Sequence, residues 1–225
     1  MMAKYIKRHD AFARLNHWVF AVCGIGLGIG GALMFFPPLS NLVGPEVLRW
    51  QMILHRILGA IFVIVPILSW IIRPSNFVHT FKNIFAKWDK DDFEFMKEFV
   101  PYLFNPKKHH MPKQQFVKSG QRLSDFVMYL FIFAFMISGV LLMLGAARIG
   151  SSAFAIAKLV HDVTFFGWLC LMVIHIYLGA GIFQPYRGAT RYVFGDGYAS
   201  AEDARYHWGH WADRELETAE NVVDM

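Results

Sequence analysis

Charge is scarce in this chain. Of its 225 residues, Asp, Glu, Lys and Arg make up 17%, where a soluble domain carries about 25%. Cysteine is scarcer, with only Cys23 and Cys170. Two thiolates are too few for an iron–sulfur cluster held in the usual four-thiolate way, and both lie in apolar runs, where they read as core residues. The first apolar run is too long for a cleaved signal and ends in Phe35-Phe36-Pro37-Pro38 instead of a small-residue cleavage site. No internal repeat is evident. What the chain has instead is apolar residues, 56% of the total, gathered in runs at 18–36, 52–72, 126–147 and 163–183. Each is near the ~20 residues that cross a ~30 Å hydrocarbon core, and a backbone without water must bond to itself. The expected fold class is an all-α membrane protein, a four-transmembrane-helix bundle with helices over about 15–36, 51–72, 121–147 and 160–183. The chain reads as a single membrane domain over 1–225, in which 184–225 is a polar tail.

Lys and Arg orient this bundle. The segments before the first run, between the second and third, and after the fourth hold 4, 10 and 4 of them. The connections at 37–51 and 148–162 hold 1 and 2, and Arg56 lies just inside the second run. The positive-inside rule therefore predicts both termini and the long middle loop in the cytoplasm. The net charge of +5 follows from the same bias and gives no support to nucleic-acid binding.

The first run contains Gly24, Gly26, Gly28, Gly30 and Gly31. Close helix packing through small residues accounts for them, and so does a flat macrocycle lying against the backbone; the two are compatible. In the middle loop, 77–104 alternates charged and aromatic residues and is expected to form one or two surface helices, either a partner-binding surface or an interfacial amphipathic pair. His109, His110, His207 and His210 lie in the polar segments, where solvated histidines are commoner than a metal site.

Four histidines lie in or at the apolar helices: His17, His55, His161 and His175. His161 and His175 are fourteen residues apart, close to four turns, so they share a helix face and stand roughly 21 Å apart along the axis. Helix direction puts His17 near the cytoplasmic face and His55 near the outer face. In the fourth helix His161 is outer and His175 inner. The pairs are then His55 with His161 and His17 with His175. Polar residues inside a membrane are costly and usually functional, and two imidazoles at each level suit the iron of a b-type haem, which they leave six-coordinate and suited to electron transfer. Zinc or copper fits less well, since neither level adds a Cys or carboxylate cluster. Haem propionates need cationic partners. Arg56, Arg49 and Arg148 are available outside and Arg14, Arg73 and Arg122 inside; Arg56, next to His55, is the most suggestive, although simple snorkelling accounts for each.

Arg14-Leu-Asn-His17-Trp18, Ile53-Leu54-His55-Arg56-Ile57-Leu58-Gly59, Leu159-Val160-His161 and Val173-Ile174-His175-Ile176-Tyr177 resemble the gamma subunit of respiratory formate dehydrogenase, over nearly the whole chain. That subunit is a four-helix, di-haem cytochrome b of the bacterial inner membrane, and related subunits serve hydrogenases and other molybdenum or tungsten oxidoreductases. The resemblance implies two haem b held by His17, His55, His161 and His175. It also implies a quinone beside the cytoplasmic haem, near His175 and an Asn-x-Gly-Gln segment. Here that segment is Lys118-Ser119-Gly120-Gln121, with Lys118 in place of the Asn. Lys118, Gly120 and Gln121 are thus candidate quinone contacts, although on its own this stretch also reads as an ordinary polar helix start.

The expected function follows from the haem pairs and the resemblance. Electrons arrive from an iron–sulfur subunit attached to a catalytic molybdenum, tungsten or hydrogenase subunit, cross the bilayer, and reach quinone near the cytoplasm, or run in reverse. No formate-oxidising site is expected on this chain. A rival of another class is a haem-free transporter whose histidines relay protons.

Overall fold

Proline and glycine set where the apolar runs begin and break. The computed structural model describes residues 3–182, 187 and 189–225. In chain order it contains β1 (Lys4–Lys7), α1 (Ala11–Phe35), α2 (Pro37–Ile72), α3 (Pro74–Ile84), α4 (Lys90–Phe104), α5 (Ser119–Leu144), α6 (Ala146–Ile149), α7 (Ser151–Gly179), α8 (Arg191–Phe194), β2 (Tyr198–Ser200), α9 (Ala201–Thr218) and β3 (Val222–Asp224). Helices α1, α2, α5 and α7 are each long and apolar enough to cross a membrane. The four-helix expectation holds.

The boundaries differ at several points, chiefly around the second and fourth helices. The second helix, expected from 51, begins at Pro37, because Pro37 and Pro38 occupy its first positions, where a missing N–H costs nothing. The expected connection survives only as a break at Gly44, whose φ of 80° is open to glycine. The fourth helix, expected from 160, begins at Ser151; Gly145 and Gly150, at φ 77° and 84°, bracket the short α6 before it. α7 ends at Gly179, and the expected end at 183 lies outside the described residues.

The chain divides into two compact units, one of Leu15–Pro74 with Met128–Met172, the other of Met1–Arg14, Ser75–Val127 and Val173–Met225. The first is apolar and helical. Trp168 packs on α1, where a Cβ at Gly24 or Gly28 would come within 3.2 and 3.1 Å of its indole. Phe20 meets Phe62 edge-on at 5.1 Å, and Ser69 Oγ donates to Asn16 Oδ1 at 2.7 Å. Helix packing thus accounts for Gly24 and Gly28. Many large apolar side chains of these helices stay exposed, among them Ile29, Ile57, Ile64, Ile137 and Leu159, an apolar surface that suits lipid.

The second unit corrects the expectation of a mere polar tail. β1 is the central strand of an antiparallel sheet, between β2 and β3, with Ile6 opposite Ala199 and Val222. Ile6, Tyr192, Ala199, Ala204, Trp208, Trp211 and Ala212 form its core. The 77–104 segment folds as α3 and α4, in line with the expected surface helices. Asp89 and Asp92 form a capping box that starts α4, a reciprocal pairing that satisfies two free backbone donors.

Candidate functional site

An imidazole within a membrane helix needs something to bind, and in the helical unit two of them meet. His55 on α2 and His161 on α7 have ring centroids 6.3 Å apart, with planes inclined at 63°. Two imidazoles on one metal at about 2 Å each, with roughly 1.2 Å from nitrogen to ring centre, would stand roughly 6.4 Å apart. The observed separation fits that arrangement.

Three further features fit a bound macrocycle. His55 Nδ1 is buried with no hydrogen-bond partner among the described residues. Glycines flank both rings: a Cβ at Gly31 would lie 4.0 Å from His55 Cε1, and one at Gly139 would lie 3.7 Å from His161 Cε1. A Cβ at either position would rest in van der Waals contact with the neighbouring imidazole. Finally, the two facing imidazoles offer a paired-nitrogen donor set, as an axial haem site requires.

His17 and His175 fall in different units. His17 lies in the second turn of α1 and meets Trp18 edge-on at 6.0 Å. His175 lies in the last turns of α7, fourteen residues beyond His161. Both are exposed.

Residues 8–192 match the prokaryotic cytochrome b561 family. The chain belongs to that family. No curated protein matches it. It is therefore a multi-pass membrane cytochrome that binds haem b and transfers electrons, and the haem-free transporter falls away. The match takes in all four histidines, Arg56, Lys118, Gly120 and Gln121, and it stops before α9.

In this cytochrome the candidate quinone residues have unequal surroundings. Lys118 is buried, and its Nζ lies 3.1 Å from His207 Nδ1. Burial, helped by the Arg8 charge, pushes the Lys118 amine down to about 7. Burial, with the Lys118 and Arg8 charges, pushes His207 down to about 3. Gly120 backs onto α4, where a Cβ would come within 3.3 Å of Phe95. Gln121 is exposed and hydrogen-bonds to Asp125, one turn further along α5.

The candidate propionate cations also divide. Arg14 donates to the carbonyls of His9 and Asp196. Arg122 is buried against Asp92 at 2.9 Å and also donates to the Ala86 carbonyl. Arg49, Arg56, Arg73 and Arg148 are exposed. Of the polar-segment histidines, His109 bonds Glu98 at 2.8 Å and His210 bonds Asp91 at 2.7 Å, so these are structural contacts in a folded unit.

Sequence reasoning missed Arg8, Asp125 and Ser138. Arg8 is buried, with its guanidinium carbon 4.0 Å from the Phe116 ring centre and 3.8 Å from that of Trp208. Burial lowers it to about 9. Asp125 was legible as an acid inside the expected third helix. Ser138 Oγ lies 2.9 Å from His161 Nδ1, a contact that no local spacing signals.

Proposed function

We propose that the chain is the di-haem cytochrome b subunit of a membrane-bound formate dehydrogenase, carrying electrons between an iron–sulfur subunit and quinone. The observation that carries this reading is the half-buried His55–His161 pair in the helical unit of a cytochrome b561-family protein. Its identification with formate dehydrogenase rests on the motifs around the four histidines.

His55 and His161 would hold one haem iron, and His17 and His175 the other. When bound, each haem supplies reversible one-electron transfer at an iron with no open coordination position. The residues around the first pair do three things. Gly31 and Gly139 leave space beside the rings, Phe135 packs edge-on against His161 at 5.1 Å, and the surrounding apolar side chains keep water away.

Quinone chemistry is assigned to the positively charged, cytoplasmic side. Gln121, exposed at the start of α5, offers an amide N–H to a quinone carbonyl. Asp125, its hydrogen-bond partner, is an acid one turn deeper that can hold a proton at its carboxyl. Lys118, hydrogen-bonded to His207, sets an amine donor beside Gly120 and Gln121, with His175 as the neighbouring haem ligand.

The partners are an iron–sulfur subunit and a catalytic molybdenum or tungsten subunit. Family membership supports equally a hydrogenase as the client of the same cytochrome. Purification of the tagged chain from its native membrane, followed by addition of formate or of hydrogen, tests the reading. Formate-driven reduction of a b-type spectrum, with iron–sulfur and molybdenum or tungsten subunits copurifying, is expected. Reduction by hydrogen alone would move the chain to a hydrogenase, and the absence of any b-type spectrum would remove the haem reading.

A further inference from the structure

A hydroxyl deep in an apolar helix is costly unless bonded. Ser138 lies in the C-terminal third of α5, in the run Phe135-Met136-Ile137-Ser138-Gly139-Val140, and is 2% exposed. Its Oγ lies 2.5 Å from the Ala134 carbonyl, one turn back. That is the usual resting place for a serine in such a helix, and it takes the only hydrogen the hydroxyl has. The oxygen keeps its lone pairs, and His161 Nδ1 lies 2.9 Å from it.

Proton counting then assigns the tautomer. With the serine hydrogen on Ala134, the bond to His161 has only one donor, the imidazole N–H at Nδ1. The lone pair of His161 is therefore on Nε2, the nitrogen left to bind a metal. His55, across the pair, shows the opposite condition, since its Nδ1 is buried without a partner among the described residues. The two imidazoles are held by different means.

The rest of the α5 face points the same way. Phe135, Ser138 and Gly139 follow the i, i+3, i+4 spacing that puts residues on one side of a helix. Phe135 meets the His161 ring edge-on, Ser138 binds its Nδ1, and Gly139 leaves the space beside Cε1. One turn of α5 is a cradle for a single imidazole.

We infer that Ser138 is a positioning residue for His161, fixing its tautomer and ring rotation and thereby setting the potential of the haem that His161 shares with His55. This rests on the proposed role of His161 as a ligand. An acceptor at Nδ1–H makes the imidazole a stronger donor, which favours the oxidised iron. Removing the acceptor shifts that haem towards reduction and leaves the other haem where it was.

The test is a potentiometric titration, with haem content and electron paramagnetic resonance, on the full chain in its native complex. Ser138→Ala is expected to keep two haems and to change the reduced-to-oxidised ratio of one by up to about tenfold at a fixed potential, about 59 mV for one electron. Ser138→Thr, which keeps the hydroxyl, is expected to restore the wild-type value. Loss of one haem in Ser138→Ala but not in Ser138→Thr also supports the inference. Two haems with unchanged potentials in Ser138→Ala overturn it. So does equal loss of haem in both variants, which would mark a packing role. If Ser138→Ala does not insert, Ser138→Cys gives the same decision with a thiol of similar size and weak accepting power. Two haems retained in His161→Ala would instead overturn the ligand assignment, a separate failure.

Discussion

The side-chain nitrogen of Lys118 lies 3.1 Å from Nδ1 of His207, joining the residue before α5 to the middle of α9. Lys118 is the residue that replaces an asparagine in the resembling motif, so this position carries a tertiary contact as well as a candidate quinone contact. The pairing is also unusual electrically, because burial lowers the amine from 10.5 to about 7 and the imidazole from 6.5 to about 3.

That gives a pH prediction with a fixed sign. Between about 7 and 10.5 the unfolded chain binds a proton at Lys118 that the folded chain does not, so stability rises with pH across this window. The penalty is fully present below about 7. His207 acts likewise lower down, with stability falling as pH drops from about 6.5 to 3. In thermal unfolding of the detergent-solubilised protein, Lys118→Met is expected to flatten the rise between pH 7 and 10 by about one proton's slope. An unchanged slope would show that Lys118 is solvated.

Gln121→Leu separates quinone contact from haem binding. The substitution removes an exposed amide without adding charge, so haem content is expected to match the wild type while quinone reduction slows about tenfold, the worth of one hydrogen bond. Stopped-flow reoxidation of the reduced cytochrome by quinone measures this. Wild-type turnover in the variant would place the quinone elsewhere.

Asp92 is a buried acid with several partners. It accepts from Arg122 at 2.9 Å and from Ser119 Oγ at 2.6 Å, and it caps α4. Asp92→Ala leaves the Arg122 charge buried, a change that costs about 3–5 kcal/mol. Chemical unfolding is expected to show a loss of that size, whereas a loss below about 1 kcal/mol would mean that Arg122 finds water instead.

Much of the helical unit was legible because the bilayer imposes one rule on every residue. The apolar runs gave four helices, and helix direction brought His55 to His161 without any tertiary information. The misplaced starts of α2 and α7 have local causes. Gly44-Pro45 reads as a turn but only interrupts a helix, and Lys158 in an otherwise apolar stretch reads as a connection. The second unit was hidden for a different reason. Its strands are three or four residues long and come from 4–7, 198–200 and 222–224, too short and too distant for periodicity to link them. One signal was there: Ala204, Trp208, Trp211 and Ala212 follow helical spacing and are buried on one face of α9. Ser138 shows the limit, since a hydroxyl 23 residues from its histidine has no sequence rule to pair them.

The central claim is that the two facing histidines are axial ligands of one of two haems. Haem quantitation with a reduced-minus-oxidised spectrum of His55→Ala tests it most directly. The account predicts about half the wild-type haem, a surviving b-type α band from the His17–His175 centre, and a protein still inserted in the membrane. Full haem content with an unchanged spectrum in His55→Ala would contradict it.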